Sequence, residues 1–127
     1  MLGSLPAVAS TPFLGLAGLT AAALPAVDDV LTRAKDAVRA QVTDGDRISG
    51  TLIEANQTAA HGLAWLATYA QSLQQMQGWA EKLDAEGKFG EVEQLIHQIA
   101  FGEYICQIYG GIPMSQGEIM RLQAIGL

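Results

Sequence analysis

The sequence has few of the residues that most chemistry and most polyanion binding require. Its 127 residues include one cysteine, two histidines and seven lysine or arginine residues, against 13 aspartate or glutamate residues. The net charge of −6, with the basic residues scattered, argues against a nucleic-acid or anionic-membrane partner, because a phosphate surface requires clustered cations. The single cysteine, Cys106, cannot form an internal disulfide, which is compatible with a reducing cytoplasm.

Recognisable catalytic and metal-binding motifs are also lacking. There is no glycine-rich phosphate loop, no nucleophile elbow and no paired His-Glu zinc motif. Two antiparallel helices joined near Gly87 would hold His61 and His97 roughly 24 Å apart along the bundle, too far for a shared metal ion. The same geometry places Cys106 level with Thr68, so no Cys-His dyad is expected. We therefore predict no catalytic, cofactor-binding or metal-binding residue in this chain.

The residues that are abundant predict helices. Apolar residues make up 50% of the chain and charged residues 16%, a mixture typical of close-packed helices. Residues 52–86 lack proline and repeat their apolar side chains at steps of three and four, which indicates a long helix. A second long helix is predicted over about 88–109, a shorter one over about 25–42 with Pro25 in its first turn, and a short C-terminal helical turn. The predicted fold is all-α, a small antiparallel helical bundle.

Local signals mark the expected element ends. Ser49 or Thr51 suits the N-cap of the long helix, and Gly87 suits its C-terminal cap. Residues 43–46 are typical of a solvated turn, since an EF-hand would need further ligands at fixed positions. Ser115 is expected to cap the short final turn. Two glycines inside the long helix, Gly62 and Gly78, are expected where a neighbouring backbone comes close.

The domain prediction separates a short lead from one folded unit. Residues 1–24 are expected to form a loosely ordered or short-helical lead, and residues 25–127 a single helical domain. Residues 1–27 carry no charge, but a secretory signal is not expected because no basic residue precedes Arg33. The lead is also far less apolar than a membrane span.

The long helices carry more apolar surface than one small bundle needs. A candidate docking surface consists of large side chains and one carboxylate: Trp65, Tyr69, Met76, Trp79, Glu103, Tyr104 and Tyr109. The aromatic stripe among them is typical of a core, although tryptophan is also enriched at interfaces. The second half of the 88–109 helix is apolar nearly all round, so it is expected between other elements or beneath another domain.

Single polar residues on these helices leave two interpretations open. Glu103 is either a buried acid, base or interdomain ion-pair partner, or an exposed glutamate beside Gln107. Cys106 is expected to be a small buried hydrophobe. His61 is expected near the edge of the apolar surface.

Two stretches carry a resemblance to a known family. They read AHGLAWLATY, residues 60–69, and EGKFGEVEQLIHQIAFGEYICQIYGGIPMSQGEI, residues 86–119. Both resemble the N-terminal helical extension of (2S)-methylsuccinyl-CoA dehydrogenases, which belong to the acyl-CoA dehydrogenase flavoproteins. The similarity extends more weakly into the helix that begins near Pro25.

The resemblance implies a function that lies mostly outside this chain. A full-length enzyme of this family would use FAD to oxidise methylsuccinyl-CoA to mesaconyl-CoA in the ethylmalonyl-CoA pathway, in the cytoplasm. Its catalytic carboxylate, flavin pocket and CoA pocket would belong to the dehydrogenase body. The implied partners of this chain are that body and further copies in a homo-oligomer, so we expect an accessory domain that acts in docking or assembly.

Two other functions fit the residues without the resemblance. The chain could be a stand-alone interaction module that forms a homodimer through the faces bearing Trp65 and Trp79. It could also carry an apolar ligand in a pocket between the long helices.

Overall fold

The structure, a computed structural model, describes residues 12–127. Most of these residues are helical. Three helices are long: α1 (Leu16–Val42), α3 (Gln57–Ala85) and α4 (Glu91–Gly110). Two are short: α2 (Gly50–Ala55) and α5 (Leu122–Ile125). Two antiparallel pairs of two-residue strands complete the set: β1 (Thr43–Asp44) with β2 (Arg47–Ile48), and β3 (Ile112–Pro113) with β4 (Ile119–Met120). The all-α prediction is confirmed.

The first helix is longer than predicted. It begins at Leu16 and contains Pro25 in its interior, so the helix start predicted at Pro25 is corrected. Pro25 is exposed, and water can bond the carbonyl of Ala21 that lacks an intrahelical partner. The earlier turns persist because Leu16 and Thr20 are buried against the other long helices. Residues 1–11 of the predicted lead lie outside the described residues.

The predicted helix over 52–86 is divided at Asn56 into α2 and α3. Ser49 is the N-cap of α2, where its Oγ accepts a hydrogen bond from the Leu52 N–H at 3.3 Å. The Asn56 side chain donates to the Leu52 carbonyl at 2.9 Å and to the Gln41 carbonyl at 3.4 Å, which ties the break to the end of α1. Gly87 has a φ of 68° just after α3, so the predicted stop is confirmed.

α3 is the central helix and runs antiparallel to both other long helices. Its side chains meet α1 in reverse order along the chain, since Gln74 bonds Asp28 and Gln77 bonds the carbonyl of Ala17. It meets α4 in reverse order as well, as the aromatic contacts described below show. The buried apolar core lies between these three helices: Val27, Ala34, Val38, Val42, Ala59, Leu66, Tyr69, Ala70, Leu73, Phe101 and Ile108.

The C-terminal segment closes one end of the bundle. Ile112, Met120 and Ile125 are fully buried and join the same core. The helical turn expected after Ser115 is not formed, because the Met114 and Ser115 N–H groups both bond the Glu118 carbonyl and close a hairpin loop between β3 and β4. The short C-terminal helix follows later, as α5. None of the helices in residues 12–127 combines the length and apolarity that crossing a bilayer requires.

The two glycines within α3 differ in their surroundings, which gives a stability prediction. At Gly78 no atom lies within 4 Å of the position that a Cβ atom would occupy, so the close approach expected there is not found, and Gly78→Ala should raise the free energy of unfolding by about 1 kcal/mol. At Gly62 a Cβ atom would lie 2.5 Å from Cγ of buried Met120. Gly62→Ala should therefore lose that gain to overpacking. Urea unfolding of both variants measures the difference; an equal gain in both would contradict it.

Candidate docking surface

One side of α4 is apolar and faces away from the bundle. Its buried side chains, His97, Phe101 and Ile108, lie on the opposite side of the helix. The exposed side chains recur at steps of three and four; the apolar ones form what we call the α4 stripe: Val92, Ile96, Ile99, Cys106 and Tyr109. From Val92 to Tyr109 this stripe extends over roughly 26 Å of the 20-residue helix. Soluble proteins rarely expose an apolar face of this length to water, and such a face is typical of an interaction site.

The structure corrects the expectation for Cys106 and bears on the two interpretations of Glu103. Cys106 is exposed, so the prediction of a small buried hydrophobe is wrong. Glu103 is also exposed and lies beside Gln107, so it is not a buried acid or base within residues 12–127; this exposure is compatible with an ion pair to another domain. Within residues 12–127, other elements cover the apolar second half of α4 on the side that faces the bundle, and its opposite side is exposed.

A groove of about 840 Å³ runs between α3 and α4, beside the stripe. It is lined mainly by small or polar side chains of α3 and by two residues of α4: Ala67, Thr68, Gln71, Ser72, Leu73, Gln75, Met76, Ala100 and Tyr104. Met76 and Tyr104 of the predicted docking surface therefore lie in this groove, where both are half-buried.

Tyr104, which lines this groove, is stacked on Tyr69. The rings of Tyr69 and Tyr104 lie 4.2 Å apart, centroid to centroid, and are nearly parallel. Burial, and to a lesser extent Tyr104, raises the pKa of the Tyr69 phenol, so its hydroxyl stays protonated and donates to Oε1 of Gln107. The Gln107 amide N–H in turn reaches Oε2 of Glu103 at 3.5 Å. The fixed orientation of Gln107 thus directs a donor toward Glu103.

The two tryptophans of the predicted surface are largely used within the chain. Trp65 donates to Nε2 of His61 at 3.0 Å and packs edge-on against Tyr69. Trp79 packs against Phe89 and His97, with ring centroids 6.3 Å and 6.5 Å away. Both tryptophans are half-buried, and Tyr69 is buried. Of the seven predicted surface residues, only Glu103 and Tyr109 are exposed, and both belong to α4.

A second groove, of about 310 Å³, lies between α1 and the other side of α4. Its lining is almost wholly apolar: Phe13, Leu16, Leu19, Thr20, Ala23, Gln98, Phe101, Gly102, Ile105 and Cys106. Phe13 and Leu19 are themselves largely exposed, so apolar surface continues from the α4 stripe onto α1. The outward side of α4 is therefore a ridge between two grooves.

A buried polar network joins the three long helices behind this ridge. Thr20 of α1 lies 2.6 Å from Oε1 of Gln77 on α3 and 2.8 Å from Nε2 of His97 on α4, and all three residues are buried. The Gln77 amide N–H groups are committed to the Ala17 carbonyl and to Glu81, at 2.9 Å and 2.8 Å. The Gln77 oxygen must therefore accept from the Thr20 hydroxyl, and the Thr20 oxygen accepts from His97.

Sequence reasoning missed this network, although one signal for it was present. Gln77 interrupts the apolar face of α3, and a glutamine at such a position requires hydrogen-bond partners in the core. With Nε2 of His97 as the donor, Nδ1 is left as a bare acceptor, and within residues 12–127 it is the one buried side-chain nitrogen or oxygen without a partner. The aromatic rings of Trp79, Phe89 and Phe101 surround the imidazole.

Because His97 is buried, the free energy of unfolding of the chain is expected to depend on pH. Desolvation lowers the pKa of His97 below its ordinary value, so the folded chain resists protonation. As pH falls through about 6.5, the unfolded chain binds a proton that the folded chain does not, and the free energy of unfolding should fall by up to about 1.4 kcal/mol per pH unit. Urea unfolding at pH 7.5 and 5.5 measures this loss.

A substitution at His97 identifies the source of the pH effect. His97→Gln should reduce the difference between the two pH values, because glutamine does not titrate. A variant that kept the full pH dependence would show that His97 is not its origin. Among the residues that the structure describes, no group of three or more His, Cys, Asp or Glu side chains is placed to hold a metal ion.

Comparison with known proteins supports the resemblance stated from the sequence. No family model matches the chain. A (2S)-methylsuccinyl-CoA dehydrogenase of Cereibacter sphaeroides is 52% identical over 117 residues, which make up 91% of this chain and 21% of the relative. The chain therefore spans about a fifth of the length of the curated relative it matches. Over nearly its whole length, the chain is therefore similar to one part of that dehydrogenase.

Proposed function

We propose that this chain is a non-catalytic helical domain of an FAD-dependent acyl-CoA dehydrogenase that oxidises methylsuccinyl-CoA to mesaconyl-CoA. In this proposal the α4 stripe docks on the dehydrogenase body, and the docked domain supports assembly of the oligomer. The exposed α4 stripe is the observation that carries the proposal, because a face that is apolar over the length of a helix requires a cover. The chain is 52% identical to a region that makes up about a fifth of a larger enzyme, which supports the dehydrogenase body as that cover.

The two grooves beside α4 do not fit the flavin or the acyl-CoA substrate. Both ligands carry a pyrophosphate, which proteins bind with cations or with backbone N–H groups at a helix N-terminus. The linings of the two grooves beside α4 include no lysine or arginine, and the second groove, which reaches the start of α1 at Leu16, is almost wholly apolar. We therefore assign FAD, the substrate and the reaction to the rest of the longer protein, in the cytoplasm.

A homodimer through the tryptophan faces has less support than docking. Trp65 and Trp79 make their ring contacts within the chain, so little of either is free to anchor a partner. An open groove of about 840 Å³ beside α4 is a weaker basis for an apolar ligand carrier, since such sites usually enclose most of the ligand.

The proposal is tested in the Cereibacter sphaeroides relative. One protein has its matching region replaced by this chain, which we call the chimera, and a second has that region deleted. The chimera should keep the oligomeric mass, the thermal stability and the oxidation of methylsuccinyl-CoA, whereas the deletion should lose stability and assembly. A deletion protein that kept assembly, stability and substrate preference would refute the proposal. A dimer of the isolated chain with an unaffected deletion protein would favour the stand-alone module.

A further inference from the structure

One charged residue, Glu103, lies among the apolar residues of the α4 stripe. From Ile96 to the end of α4, the exposed residues are Ile96, Ile99, Gly102, Glu103, Cys106, Tyr109 and Gly110. Glu103 is the single charged residue in that set, and it lies near the middle of the stripe. Any surface that covers the stripe must therefore also compensate the charge of this carboxylate.

Glu103 has no cationic partner within the described chain. The three ion pairs among residues 12–127 involve Asp29, Asp36 and Glu86, and α4 itself contains no lysine or arginine. The contact from Gln107 at 3.5 Å is long, and Gln107 is a neutral donor that Tyr69 already orients. The carboxylate is thus positioned on the outward side of α4 but not neutralised.

We infer that the surface docked on α4 is apolar and presents a lysine or arginine to Glu103, an inference that rests on the proposed function. An apolar cover would remove water from Glu103, and a carboxylate that loses water without gaining a charged or hydrogen-bonded partner is strongly disfavoured. A cation at this point offsets that cost and fixes the register of the docked helix, because the other stripe contacts are non-directional.

A second copy of this chain does not meet that requirement. Two α4 stripes packed on each other would bring Glu103 against a helix whose charged residues are Glu91, Glu93 and Glu103. Like charges facing each other at an interface oppose binding. The chemistry of α4 therefore favours a basic surface on the remainder of the longer protein over a homodimer through α4.

Thiol labelling of the chimera tests the inference, because Cys106 lies on the same face and reports when that face opens. Alkylation of Cys106 is followed by mass spectrometry of its peptide in the unsubstituted chimera, in Glu103→Gln and in the control Glu54→Gln, an exposed glutamate on α2. Glu103→Gln should raise the labelling rate at least about tenfold, and Glu54→Gln should leave it unchanged. Raising NaCl to about 1 M should speed labelling of the unsubstituted chimera more than that of Glu103→Gln.

The outcomes separate this inference from the proposed function. The unsubstituted chimera and Glu103→Gln could label at the same rate, with both slower than the isolated chain. That result would refute a cation opposite Glu103 and leave docking intact. Labelling of the chimera as fast as that of the isolated chain would overturn docking, and the inference with it.

Discussion

Thr20→Val is expected to lower the free energy of unfolding of the chain by about 2–6 kcal/mol, although valine has nearly the same shape as threonine. The hydroxyl of Thr20 serves both Gln77 and His97 in the core, at 2.6 Å and 2.8 Å. Removing it leaves two buried polar groups without a partner, and each such group costs about 1–3 kcal/mol. Urea unfolding followed by far-ultraviolet circular dichroism measures the change.

Thr20→Ser is the matched control for this prediction. Serine keeps the hydroxyl and loses only a buried methyl group, so it should cost about 1 kcal/mol. If Thr20→Val were as stable as the native chain, the hydrogen bonds between α1, α3 and α4 would not contribute to stability. A serine variant as unstable as the valine variant would indicate that the methyl group, and not the hydroxyl, matters at this position.

Ile99→Glu is expected to release this domain from the dehydrogenase body in the chimera while leaving the isolated chain folded. Ile99 is 64% exposed at the centre of the α4 stripe, so the substitution should change the unfolding free energy of the isolated chain by no more than about 0.5 kcal/mol. In the docked state it would place an unpaired carboxylate in an apolar contact, at a cost of several kcal/mol. The melting temperature and the oligomeric mass of the chimera should both fall.

Ile48→Glu provides the control for that substitution. Ile48 is 69% exposed on β2, in the turn between α1 and α2 and away from α4, so the same change of chemistry is made outside the proposed interface. The chimera with Ile48→Glu should keep its melting temperature and mass. If both substitutions acted alike, or neither acted in the chimera, the α4 stripe would not be the docking face.

The parts of the fold that the sequence predicted depend on local chemistry. Gly87 ends α3 because a left-handed backbone there favours glycine, and Ser49 begins α2 because its hydroxyl satisfies a free N–H group. The antiparallel packing of α3 on α4 follows from the short connection between them. These features need no knowledge of distant residues, and the pairing of Tyr69 with Tyr104 confirms the alignment of the two helices.

The parts that were missed depend on contacts between distant residues. Pro25 is a typical first-turn residue, and only the burial of Leu16 and Thr20 on other helices carries α1 past it. Apolar residues surround most of α4, so periodicity could not show which side faces the bundle; for that reason Cys106 was expected inside and is exposed. His97 carried no signal of its own, because its role depends on residues of two other helices.

The seven predicted docking residues also show what local sequence can indicate and what depends on packing between distant residues. The large side chains that were predicted on α3 pack in or against the core, where α1 and α4 cover much of their surface. The exposed remainder lies on α4, where Ile96 and Ile99 were not singled out from the sequence. Composition indicates how much apolar surface a chain has, whereas packing decides which part stays uncovered.

Alkylation of Cys106 tests the central claim, a covered α4 stripe, most directly. The rate is measured at the level of the Cys106 peptide, once in the isolated chain and once in the chimera, with the same reagent and pH. Docking predicts rapid labelling in the isolated chain, where the thiol is exposed, and labelling at least about tenfold slower in the chimera. Equal rates in the two proteins would contradict the claim that the longer protein covers α4.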